Sequence, residues 1–298
     1  MTMRTMSASG TALMGALALL GLVGCDKSPS TPSDMVDRGS WYRTGFEWPH
    51  DGNPYASQNF VVYSDAASLE ARQKLAEIGE DLLVLLKEQF ELGSDSLFRF
   101  PAGQSKIHMY AYKDRAPQDW GGWGYYGGLM IFSLDNEKRT EWGHTELGNY
   151  TRVVTHELMH AIEGLLKGTD NPNLVDVWLS EGIAEYVAGG TSSGSVTSLA
   201  RLDELIGNYG ALNPIAMHQY DYPDIENIGY LYYYPMFELA VGYLLDPDGA
   251  GQAKPAIKDI YLDARAGVPF ATSFEDRMGI NLQSYEDEFW DRVRLYLN

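Results

Sequence analysis

Two histidines near the middle of the chain constrain its fold more than any other feature. His156-Glu157-Leu158-Met159-His160 lies within Thr151 to Leu166, a segment whose apolar residues fit the period of a helix. Histidines four apart stand one turn above each other on one helical face, so both imidazoles can reach a single zinc ion. Glu157 is rotated about 100° from His156, close enough to hold a water at the metal without binding the metal itself. Zinc then needs a third protein ligand and leaves its fourth position for water. Another donor-bearing element must therefore pack against this helix. Glu163 does not share a metal with His156, because seven residues separate them by roughly 10 Å along the helix axis. It is expected to be a solvated charge.

The second element is a helix read over Val175 to Val187 and closed by Gly189-Gly190. It carries Trp178-Leu179-Ser180-Glu181-Gly182-Ile183-Ala184-Glu185-Tyr186. A metzincin would show Gly and then His at positions 163 and 166; the chain has Glu and Leu there, so that pattern fails. His-Glu-x-x-His followed about twenty residues later by Trp-Leu-x-Glu-Gly-x-Ala-Glu-Tyr instead resembles the gluzincin metallopeptidases. That resemblance implies an α+β, zincin-like fold. It implies an N-terminal mixed sheet with helices, an active-site helix and a largely helical C-terminal lobe. It further implies zinc as cofactor, with Glu181 as third ligand beside His156 and His160. Glu157 becomes the catalytic base, and Glu185 the acid that hydrogen-bonds a ligand histidine from behind. Gly128-Leu129-Met130-Ile131-Phe132 looks like the family's edge strand, which lies beside the metal and pairs with extended substrate. The chain lacks the Gly-x-Met-Glu-Asn sequence of alanyl-type aminopeptidases, so an endopeptidase acting on peptide or protein substrates is the expectation. Tyr234-Pro235-Met236-Phe237 resembles the segment whose tyrosine hydrogen-bonds the oxyanion, with Tyr230, Tyr232 and Tyr233 crowding the same stretch. His218 is a second oxyanion candidate, for which packing is favoured. Trp120, Trp123, Tyr125 and Tyr126 form a cluster for which packing is favoured over a substrate subsite.

Elsewhere the pattern is strand-rich first and helical later, an α+β order. Strands are read at Asn59 to Ser64, Lys106 to Tyr112 and Leu129 to Phe132, with Trp120 to Gly128 as a loop. Helices are read from Leu69 to Phe90, Ser195 to Ile206, Pro235 to Leu245, Pro255 to Ala264, Phe274 to Met278 and Tyr285 to Leu297. One catalytic domain over 59–298 follows, with a sheet and zinc lobe at 59–190 and a helical lobe at 191–298.

The N-terminus reads as an export signal over residues 1–24. Its apolar stretch, Thr11 to Val23, spans thirteen residues, whereas a bilayer span needs about 20. Leu22-Val23-Gly24-Cys25 resembles the lipobox of bacterial lipoproteins, which implies acylation of Cys25 and a place in the cell envelope on a lipid anchor. Asp26 resembles an inner-membrane retention signal. Residues 25–58 then serve as the lipidated cysteine and a polar, proline-bearing tether. Cys25 is the only cysteine, so no internal disulfide supports the fold. With 41 acidic and 22 basic residues the chain carries a net charge of −19. That acidity repels phosphate backbones and excludes nucleic acid as a partner. The expected function is zinc-dependent peptide-bond hydrolysis. The alternative is a non-catalytic zinc-containing surface lipoprotein acting as a binding or scaffold module, in which a base beside the metal has no purpose.

Overall fold

Side chains that alternate at period two decide which face of the sheet is covered. A computed structural model describes residues 52–64, 68–111, 122–131, 148–191, 194–218 and 229–298. Its strands are β1 (Tyr55–Ala56), β2 (Phe60–Ser64), β3 (Ile107–Ala111), β4 (Gly122–Tyr125) and β5 (Gly128–Ile131). They form one mixed sheet in the order β1-β2-β3-β5-β4. The central pairs β2–β3 and β3–β5 are parallel; β1 and β4 close the two edges in antiparallel fashion. Phe60, Val62, Ile107, Met109, Leu129 and Ile131 point to one face and are buried in the main core. The register places Tyr63, Tyr110, Met130 and Trp123 in one row on the opposite face. There the Tyr63 and Tyr110 rings stack at 4.8 Å.

Among the described residues, the two helices that pack most closely on the sheet lie against the first face. Helix α1 (Leu69–Gln89) starts where Ser68 accepts the Ala71 N–H at 3.1 Å, the usual N-cap arrangement. Its Gly79 lies against the Phe60 ring of β2, so closely that an added Cβ would sit 3.0 Å from the ring. Helix α2 (Gly148–Lys167) crosses β5 and β4. Six further helices complete the described residues: α3 (Val177–Val187), α4 (Leu199–Tyr209), α5 (Tyr234–Leu245), α6 (Pro255–Arg265), α7 (Phe270–Met278) and α8 (Leu282–Tyr296). Helix α3 lies between α2 and α5. A Cβ at Gly182 would lie 2.5 Å from the Phe237 carbonyl oxygen, so only glycine permits that approach of α3 to α5. Trp178 of α3 is fully buried, with the rings of Phe274 and Tyr285 each 5.8 Å away. Truncating such an anchor costs about 3–5 kcal/mol.

The α+β reading matches this sheet with its helices, and the core runs continuously from Phe60 to Val293. Two differences stand out. The aromatic loop read over Trp120 to Gly128 contains strand β4, hidden because two of its four residues are glycine, which weakens any strand signal. The tether read to residue 58 overlaps ordered structure. Tyr55–Ala56 pairs with β2, and Ser57 and Asn59 both donate to the Glu80 carboxylate. Residues 1–24, Cys25 and Asp26 lie outside the described residues. Among those described, no helix is long and apolar enough to cross a membrane.

Candidate metal centre

Helices α2 and α3 and the edge strand β4 meet at one point. On α2, the His156 and His160 rings stand at 75° to each other, and their Nε2 atoms are 3.2 Å apart. Glu181 of α3 brings Oε2 to 3.4 Å from each of those nitrogens. The three donor atoms thus form a nearly equilateral triangle. Its centre lies about 1.9 Å from each corner, so a small step out of the plane reaches the roughly 2.0–2.2 Å of zinc–nitrogen and zinc–oxygen bonds. His156, His160 and Glu181 could hold a metal ion.

Charge points the same way. Glu157, Glu163, Glu181 and Glu185 are all buried around this point. Arg152 reaches Glu185 Oε2 at 2.9 Å, and Lys167 reaches Glu163 Oε1 at 2.7 Å. With both imidazoles neutral, as metal ligation requires, two cations against four carboxylates leave two negative charges among these residues, which a divalent ion would balance. Burial opposes charge on His160, but Glu181, Glu163 and Glu157 outweigh it and hold its pKa well above the ordinary value. Burial likewise pushes Glu181 up, yet the His160 and His156 rings bring it far below the usual carboxylate range. Glu185, by contrast, is raised, chiefly by burial. The carboxylates around His160 thus favour positive charge on its ring.

The outer nitrogen of His156 faces Glu185: Nδ1 to Oε1 is 3.4 Å. Arg152 secures that carboxylate and also donates to the Gly190 carbonyl at 3.0 Å, tying α2 to the end of α3. Arg152 was not singled out from sequence. Its signal was available, because it lies four residues before His156 on the same helical face.

Glu163 is not the solvated charge expected. It is 5% exposed, accepts from Lys167 and from the Ser180 hydroxyl, and is pulled down to about 2 against the upward push of burial. Distance along the helix separates Glu163 from His156 but says nothing of His160. Its position three residues beyond His160 places it beside that ring, with 3.7 Å from Oε2 to Nδ1.

The edge strand is also reassigned. Gly128–Ile131 is β5, an interior strand flanked by β3 and β4; residue 132 lies outside the described residues. Among the described residues, the edge beside the site is β4. A Cβ at Gly122 would lie 2.6 Å from Glu157 Cγ, and one at Gly124 would lie 2.5 Å from His160 Cβ. Both glycines therefore let β4 touch the helix that carries Glu157, while Trp123 and Tyr125 turn to the far face. Tyr126 packs on the main core, and Trp120 lies outside the described residues.

Tyr234 is buried at the start of α5, its ring centroid 6.4 Å from that of His156. Its neighbours point elsewhere. Tyr232 donates to the Leu212 carbonyl at 2.7 Å, and Tyr233 stacks on Phe237 within the core. The side chain of Tyr230 lies outside the described residues. A π-helical turn, Gly229–Tyr233, leads into α5, so Tyr234 follows a wound segment rather than opening a helix from coil. His218 is exposed and pairs with Asp176 at 2.8 Å, at the N-cap of α3.

The chain matches no protein-family model, and no curated protein is significantly similar to it.

Proposed function

We propose that this protein is a zinc-dependent peptide hydrolase of the gluzincin kind, with a zincin-like fold and an acylated Cys25 that anchors it to the bacterial cell envelope. One observation carries the reading. His156, His160 and Glu181 converge at metal-binding distances while Glu157, buried on the same helix, lies under an edge strand. When zinc is bound there, the chemistry it supplies is a lowered water pKa, near 7, and polarisation of the scissile carbonyl.

This chain's own residues do the rest. Glu157 takes the proton of the attacking water and delivers it to the departing amine. Glu185, braced by Arg152, orients the His156 ring so that Nε2 faces Nε2 of His160 and Oε2 of Glu181, with which it would hold the metal. The Tyr234 hydroxyl donates to the developing oxyanion, a contribution of about 3 kcal/mol for such a donor. The family resemblance implies that an extended peptide would lie along the strand beside the metal site, which favours cleavage within a chain.

Glu157→Gln keeps the side-chain shape and all three donors. Purified protein should retain stoichiometric zinc while cleavage of a peptide library falls by roughly 10²–10⁴-fold. An unchanged rate would rule out Glu157 as base. Wild type that holds zinc and cleaves nothing would favour the binding-module reading. Lipid labelling of wild type, and none of Cys25→Ser, is the expected result for the anchor; unlabelled wild type would refute it.

A further inference from the structure

Glu163 has no task in the chemistry above, yet the fold buries it beside that chemistry. Burying a carboxylate costs several kcal/mol unless partners compensate. Glu163 has them, and they are divided between its two oxygens. Oε1 accepts from Lys167 Nζ, itself buried and also bonded to the Asn171 carbonyl at 3.3 Å. Oε2 accepts from the Ser180 hydroxyl and faces Nδ1 of His160 at 3.7 Å. Ser180 precedes Glu181 in the chain. One oxygen thus touches both the back of a ligand imidazole and the residue beside the ligand carboxylate.

His156 has the same arrangement. Its Nε2 points to the shared centre and its Nδ1 to the buried Glu185, which Arg152 holds. Each ligand ring therefore has a carboxylate behind it, and each carboxylate has its own cation. Both outer separations, 3.4 and 3.7 Å, exceed a formed hydrogen bond and are close charge contacts. A carboxylate behind an imidazole selects the tautomer that carries its proton on Nδ1 and leaves Nε2 as the donor to the metal.

We propose that Glu163 is a positioning residue of the metal centre, fixing the His160 ring through Nδ1 and holding α3, through Ser180, at the distance that brings Glu181 onto the same point. The proposal rests on the metal-centre reading and is independent of which bond the protein cleaves. Lys167 serves as the fixed counter-charge that keeps Glu163 ionised and oriented.

The test is zinc affinity, measured by chelator competition on the full chain. Removing Glu163 alone would orphan the buried Lys167, so both charges are removed together in Glu163→Leu/Lys167→Met. That variant should bind zinc 10–100-fold more weakly, the usual effect of losing such a partner. In the zinc-loaded protein its His160 Nδ1 nitrogen-15 and proton resonances should shift, while those of His156 stay in place. Glu163→Gln/Lys167→Met retains an acceptor oxygen of the same shape and should recover part of the affinity. It also carries the test if the leucine variant fails to fold. Wild-type affinity with an unmoved His160 resonance, in either folded variant, would overturn the proposal. Wild-type protein that binds no zinc would overturn the metal centre and this inference with it, a result distinct from the first.

Discussion

Gly124→Ala measures how closely β4 is seated on the helix that carries His156 and His160. The added Cβ would lie 2.3 Å from the Glu157 carbonyl oxygen and 2.5 Å from His160 Cβ. Ordinary contact begins near 3.4 Å, so β4 and α2 must separate by about 1 Å. Neither obstacle is the far end of a flexible side chain; one is backbone and the other sits at the root of a ligand histidine. Overpacking of this kind costs about 1–3 kcal/mol. Losing a glycine's freedom in the unfolded chain returns about 0.4–1 kcal/mol. The net destabilisation lies between about 0 and 2.6 kcal/mol, centred at about 1.3, which is roughly 3–5 °C in Tm for a domain of this size. A 1 Å displacement beside the site can also lower turnover about 10²-fold. Differential scanning calorimetry supplies the first number and peptide cleavage the second. Gly207→Ala is the control, because that helical position in α4 has nothing within 4 Å of an added Cβ. It should raise stability by about 0.5–1 kcal/mol. If Gly124→Ala melted at or above wild type, the close approach of β4 to α2 would be wrong.

Two further outcomes follow from the site and its surroundings. Glu181→Ala should lose bound zinc, while Glu185→Ala should weaken affinity by roughly 10–100-fold; unchanged stoichiometric binding in Glu181→Ala, read by metal analysis, would remove that residue from the ligand set. Asp170 accepts the Tyr126 N–H at 2.9 Å, and burial pushes its pKa up to about 6 from 3.8, with the Tyr126 N–H and Lys167 opposing. The neutral form is thus favoured in the fold, so its stabilisation is fully present below about pH 3.8 and is lost as pH rises through about 6. Asp170→Asn keeps an acceptor without the charge and should be the more stable protein at pH 7–8, by on the order of 1 kcal/mol after solvent screening. The gap should close towards pH 4 in urea titrations; a gap independent of pH would exclude Asp170 as its source.

What could be read from sequence was local and periodic. A spacing of four residues puts His156 and His160 on one helical face whatever surrounds them, because the α-helical repeat is set by the backbone. The alternation of Ile107, Met109 and Ala111 against His108 and Tyr110 likewise assigned the faces of β3 before any partner strand was known. The likeness around Glu181 supplied the third donor, but not its distance from the histidines. That distance belongs to packing: Gly182 lets α3 close on α5, and Ser180 bonds Glu163 across to α2. The strand order was equally out of reach. Glycines at 122 and 124 suppress the local strand signal, and they are present because of what lies opposite them, Glu157 and His160, more than thirty residues away in the chain. Glu163 shows the same limit. A charged residue on a helix reads as solvated until Lys167, Ser180 and His160 are known to close around it, and burial is set by which elements meet, a property no single segment possesses.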